Sequence, residues 1–136
     1  MERSIRRLPD AELEVMQALW RCEPPAGRQD IETLLSETHP MAQTTVLTLL
    51  SRLAERGMVT VTREGRRSLY TPAVSREAYL AAQSRTFFEK LCGGSVSAFA
   101  AALCQSGISE ADLKELRELL ERDALSLRAD CASAQR

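Results

Sequence analysis

The 136 residues read as a mostly α chain with one small β-hairpin, and three observations predict it. Apolar residues recur at helical spacing through most of the length. Gly and Pro pairs cut that pattern into short helices. Once only, just after Gly57, the period switches from 3.6 to 2, and Val59-Thr60-Val61-Thr62 alternates as a strand does.

Taken in order, Leu8-Pro9-Asp10 opens the first helix, with Asp10 as N-cap and Glu12 and Glu14 in the first turn. Leu13, Met16, Leu19 and Trp20 follow on its apolar side. Their spacing marks them as core rather than a ligand site. Pro24-Pro25 ends the helix, because two prolines cannot continue one. A second helix covers roughly residues 28–37, with Ile31, Leu34 and Leu35 inward, and Thr38-His39-Pro40 turns the chain. The third helix begins near Ala42 to Thr44. Val46, Leu49, Leu50 and Leu53 form one apolar face, and Gly57 stops it as a C′ residue. The hairpin then runs out through Val59–Thr62, turns over Arg63–Arg67 and returns through Ser68–Tyr70.

Thr71-Pro72 marks the boundary between a domain over residues 1–72 and a helical region over 73–136. Beyond it, Ser75 starts a helix to about Leu91, Gly93-Gly94 breaks it, and a short helix spans 95–105. A last helix starts at Ser109, where Asp112 three residues on suggests a capping box, and runs to the late 120s. CASAQR at the end reads as a frayed terminus. Val96, Phe99 and Leu103 stripe one of these helices; Leu113, Leu116, Leu120 and Leu127 stripe the last. Three short helices cannot hide these stripes within one layer, so a second copy of the chain is the expected cover, with Phe99, Leu103, Leu113, Leu116 and Leu120 at the seam.

The polar side of the third helix carries Gln43, Thr44, Thr45, Thr48 and Arg52. Short hydrogen-bonding side chains and an arginine on an exposed helix suit the major groove of DNA. Arg63, Arg66 and Arg67 at the hairpin tip suit phosphates of the adjacent backbone. A recognition helix followed by a basic hairpin is the winged helix-turn-helix arrangement. The expected architecture is therefore an N-terminal winged helix-turn-helix domain plus a C-terminal helical dimerisation region, with double-stranded DNA and a second copy as partners.

Net charge is −1, which by itself argues against nucleic acid. Yet residues 52–67 hold five Arg against two Glu, leaving −4 for the rest, and DNA responds to the field at the docking surface. Four cysteines, at 22, 92, 104 and 131, form no CxxC pair, and His39 is the lone histidine. Neither a zinc site, a disulfide framework nor a cofactor is expected. One His, no Gly-rich phosphate loop and no carboxylate constellation exclude the common enzyme classes, so an enzyme is not expected. No apolar run approaches the roughly 20 residues of a membrane span, and the N-terminus lacks the apolar core of a secretory signal. The expected location is cytoplasmic.

The chain resembles the BlaI/MecI/CopY family of transcriptional repressors. The residues that carry the likeness are LPDAELEVMQALW (8–20), TTVLTLLSRLAERGMV (44–59) and REGRRSLYTP (63–72). Glu12, Val15, Met16 and Trp20 match the family's first-helix pattern; Thr45, Thr48, Arg52-Leu53 and Gly57 match its recognition helix. Gly65-Arg66 and Tyr70-Thr71-Pro72 match its wing. The resemblance implies a homodimer on inverted repeats built around TACA and TGTA, where a Thr methyl could meet a thymine methyl with its hydroxyl free for a phosphate or base edge. It also implies control of β-lactam-resistance or related genes. In well-known members a membrane sensor-protease relieves repression by cutting an Asn-Phe bond, which falls here at Ala102-Leu103 without the Asn. A copper-sensing branch uses paired cysteines near the C-terminus, where Cys131 stands alone. Some members carry Lys and Gln where this chain has Thr44 and Leu47. The alternatives are a metal- or redox-responsive repressor of the same fold and a protein-interaction adaptor.

Overall fold

The structure is a computed structural model that describes residues 5–124. Leu127, Cys131 and the CASAQR terminus lie outside the described residues. The chain divides into two compact units, Met1–Thr86 and Phe87–Arg136.

In the first unit α1 (Asp10–Arg21), α2 (Arg28–Thr38) and α3 (Gln43–Glu55) pack around one core, closed by a three-stranded antiparallel sheet. Val46, Leu49, Leu50 and Leu53 of α3 are all buried, as their spacing predicts. Met16 and Leu19 of α1 and Ile31 and Leu35 of α2 face them, with Leu13, Trp20 and Leu34 half-buried at the margin. Gly57 ends α3 at φ +81°, a conformation that costs a side-chain-bearing residue strain.

The N-cap of α1 is Pro9, not Asp10, and no side chain caps that end. Asp10 is the first helical residue, where its charge meets the helix dipole and Arg7 approaches to 3.8 Å. The hairpin is tighter than the alternation suggests. β2 (Val59–Glu64) and β3 (Arg67–Pro72) pair through their full length, with Glu64 opposite Arg67. Only Gly65 and Arg66 turn, and Gly65 at φ +65° sits where a two-residue hairpin turn favours glycine. Arg63 and Arg67 thus belong to strands.

A third strand, β1 (Ala26–Gly27), was not expected from the sequence. It pairs with β3, Ala26 against Tyr70 and Gly27 against Leu69, giving the order β1-β3-β2. Two residues are too short for any alternation to show, and their identity as a strand comes from the partner. The pairing ties the start of α2 to the hairpin.

α4 (Arg76–Thr86) also belongs to the first unit. Ser75 caps it, its Oγ accepting from Ala78 N at 3.0 Å. Tyr79 is buried and accepts a hydrogen bond from Leu8 N at 2.9 Å, while its ring packs tilted on Trp20 at 5.6 Å between centroids. Trp20 Nε1 in turn donates to the Val74 carbonyl at 2.9 Å. Tyr79→Phe keeps the ring but strands the buried Leu8 N–H. It should cost about 1–3 kcal/mol, read as a lower denaturant midpoint with unchanged m-value.

In the second unit, a π-helical stretch at Phe87–Leu91 precedes α5 (Val96–Gln105) and α6 (Glu110–Leu119), and a second one, Leu120–Ala124, follows. Ser95 and Ser109 cap α5 and α6, accepting from Ala98 N at 3.1 Å and Asp112 N at 3.0 Å. Phe99 stacks edge-on between Phe87 and Phe88, at 5.7 and 5.9 Å. The rest of the apolar residues find little cover. Leu91, Val96, Leu116, Leu119 and Leu120 are exposed, Leu103 and Leu113 half-buried, and no described residue of this unit is fully buried.

Candidate nucleic-acid interface

α3 presents two different flanks. Thr44, Thr45, Thr48 and Arg52, with Leu49 at the base, line a shallow cleft of about 310 Å³. At 100° per residue these polar positions fall opposite the buried stripe. All four are exposed. Gln43, the first residue of α3, is exposed but stands outside the cleft. The Thr48 hydroxyl donates to the Thr44 carbonyl at 2.9 Å. Its proton is therefore already engaged, contrary to the expectation of a free hydroxyl. Threonine in a helix satisfies itself on the preceding turn. What Thr48 offers is a methyl group and acceptor lone pairs.

The other flank faces the hairpin. Leu47 joins Arg28 and Gln29 of α2 and Arg66, Arg67, Ser68 and Tyr70 of the hairpin around a basic groove of about 490 Å³. Of the sequence-predicted residues this groove gathers Arg66 and Arg67. Arg63, on β2 opposite Ser68, is exposed but outside it.

Arg28 and Gln29 were missed by sequence reasoning. Arg28 reaches the groove because β1 carries the start of α2 to the hairpin, and its only sequence signal is the Gly immediately before it. Its guanidinium also pairs with Glu32 at 3.2 Å, an i,i+4 bond along the same helix. Gly27 matters for a steric reason. A Cβ there would come within 2.6 Å of Arg67 Nη2. Its φ of −84° suits any residue. Gly27→Ala should therefore change stability by about 1 kcal/mol at most, since the flexible arginine tip can move. It should still displace Arg67 from the groove wall, seen as weaker DNA binding with a melting-temperature shift of no more than several degrees.

One residue counted in the basic patch plays a different part. Arg56 Nε stands 3.1 Å from Glu12 Oε2, and the Glu12 side chain is 2% exposed. The contact is ionic, without the direction of a hydrogen bond on either carboxylate oxygen. Glu12, expected as an ordinary first-turn acid, thus needs Arg56 as the counter-charge for its burial. Arg56 is committed to structure, and the positive field of the outer surface rests on Arg28, Arg52, Arg63, Arg66 and Arg67.

Among the described residues Cys22 and Cys92 are half-buried and Cys104 exposed. Burial, and then the negative charge of Asp30, push the Cys22 thiol up from its ordinary value, with Arg21 opposing. Cys22 Sγ donates to the Ala18 carbonyl at 3.4 Å.

The family model described as penicillinase repressor matches residues 8–122. The chain belongs to the penicillinase repressor family. The family's members are DNA-binding transcriptional regulators, and the match spans both units. The penicillinase repressor of Bacillus licheniformis is 28% identical over 88% of this chain and 93% of its own length. The transcriptional regulator BlaI of Mycobacterium tuberculosis is 40% identical over 57% of this chain and 56% of its own. Among solved structures, the monomeric form of Bacillus licheniformis BlaI in complex with the blaP half-operator is 33% identical, covering 58% of this chain and 94% of that one, with a TM-score of 0.47. Among the described residues no single helix is long and apolar enough to cross a membrane.

Proposed function

We propose that this family member is a homodimeric transcriptional repressor that holds an inverted-repeat operator. The observation that carries the proposal is the exposed α3 face, flanked on one side by the polar cleft and on the other by the basic groove. In this reading α3 enters the major groove, with Gln43, Thr44, Thr45, Thr48 and Arg52 toward base edges and sugar-phosphate. Arg63, Arg66 and Arg67 hold the adjacent backbone and fix the register without reading sequence.

Residues 1–72 serve as the DNA-binding domain, α4 packs onto it, and the dimerisation region lies in the part of 73–136 that follows α4. The second unit supports the latter, since Leu116 and Leu120 are exposed and Phe99, Leu103 and Leu113 only half-buried in one chain. An isologous dimer places two recognition helices on a dyad, so the operator is an inverted repeat, with TACA/TGTA half-sites as in the family. β-Lactam-resistance or related genes are the proposed targets and the cell interior the proposed location.

Relief by a membrane sensor-protease would act on the second unit. The Ala102-Leu103 bond lies inside α5 with both residues half-buried, so cleavage there requires local unwinding. A redox signal through Cys22 is disfavoured, because a raised thiol pKa lowers the reactive thiolate fraction.

Selection of duplexes from a random-sequence library tests the proposal. Recovered sequences should share an inverted repeat, with half-sites about one helical turn or a multiple apart. Recovery of unrelated sequences would overturn it, and an adaptor that docks on protein would recover none.

A further inference from the structure

We infer that Leu47 reads the methyl group of a thymine in each half-site, as a specificity-determining residue on the hairpin side of the recognition helix. The inference deepens the DNA reading above and rests on it.

Leu47 is 39% exposed, and every other exposed side chain of α3 carries polar atoms. A lone exposed leucine needs no explanation in general. This one lies in a groove with Arg28, Arg66 and Arg67 among its walls. An apolar group beside three guanidinium groups gains nothing from a small anion or from solvent. A DNA duplex satisfies both kinds of surface at once. Its phosphates meet the arginines, and in the major groove its base edges offer one apolar group, the C5 methyl of thymine.

The helix geometry separates this contact from those of Thr45 and Thr48, while Thr44 lies only about 60° from Leu47. Leu47 and Thr48 differ by about 100° around the axis, and Leu47 and Thr45 by about 160°. Leu47 lines the groove on the hairpin side, whereas Thr44, Thr45, Thr48 and Arg52 line the other cleft. Leu47 therefore meets a different base pair from Thr45 and Thr48. The same placement argues against a purely structural role. The packing face of α3 is already complete with Val46, Leu49, Leu50 and Leu53.

The test uses the duplex recovered by selection from the random library. Each thymine is replaced in turn by deoxyuridine, which removes the C5 methyl and leaves base pairing intact. Affinity is measured for the full-length chain and for Leu47→Ala. At one thymine of the half-site the wild type should lose about fourfold, the value of one buried methyl group. Leu47→Ala should bind the parent duplex at least about fourfold more weakly, and deoxyuridine at that site should cost it nothing further. Equal losses for both proteins at every thymine would overturn the inference. Leu47→Gln provides a second reading, because glutamine suits adenine through its N6 and N7. Selection with that variant should replace thymine by another base at the same position and leave the other positions unchanged. An unaltered consensus would contradict the inference. Should the wild type select no common sequence, the DNA reading itself falls, and this inference with it. A clear consensus without a Leu47-dependent methyl overturns the inference alone.

Discussion

Leu116→Asp is expected to turn the protein into a monomer and to weaken operator binding by about 10²–10⁴-fold, the advantage that two linked binding events confer over one. Leu116 is exposed on α6, beside Leu119 and Leu120, and an aspartate there would set an unpaired charge in an apolar seam. The effect is separable from misfolding. Every residue of the buried core, from Leu8 to Tyr79, belongs to the first unit. The variant should thus keep a folded winged-helix domain by circular dichroism while sedimenting as a monomer. A variant that still sediments as a dimer would place the seam elsewhere.

The second large effect is expected in the hairpin. Reversing Arg66 and Arg67 together to Glu removes two cations from the groove shared with Arg28 and Leu47. In a dimer four phosphate contacts disappear. Each should lower the slope of log affinity against log salt by about one, so affinity near 0.15 M salt should fall on the order of 10³-fold. The loss should be the same on specific and random DNA, because phosphate contacts position the protein without reading bases. A loss confined to the operator would mean that these arginines read sequence. Both side chains are exposed at or beside a two-residue turn, so stability should hardly change.

How much of this was legible in the residues depended on the length of each signal. The four apolar residues of α3 repeat over two turns, and all four are buried. The helix starts at Ser75 and Ser109 were equally legible, since an oxygen at N-cap reaches a backbone N–H by local geometry alone. The strand at Ala26–Gly27 was not legible, because nothing local distinguishes two paired residues from a loop. The same gap hid Arg28 and Gln29, which reach the hairpin groove only because that strand pairs with β3. The burial of Glu12 was hidden likewise, its partner Arg56 lying forty-four residues away in sequence. Thr48 teaches the reverse lesson. Its place on the exposed face was readable, but its hydroxyl proton goes to its own helix.

Committing Arg56 to Glu12 changes the electrostatic account. The local excess of arginine in the sequence overstates what the outer surface offers to DNA. Arg28, from another helix, makes up part of the difference, though Glu32 tempers it. Against a net charge of −1, an assembly with one such patch would hold DNA weakly. Two patches on one dyad would hold it firmly, which makes the dimer and the DNA reading depend on each other.

The most direct measurement is fluorescence anisotropy of the full-length protein on a duplex from its own promoter region carrying the TACA/TGTA dyad. It is titrated across salt concentration against a scrambled duplex. The account predicts tight, dimer-stoichiometric binding to the dyad, a steep salt slope on both duplexes, and a preference of at least about 10³-fold for the dyad. Equal affinity for the two duplexes, or none for either, would contradict a sequence-specific repressor at this dyad.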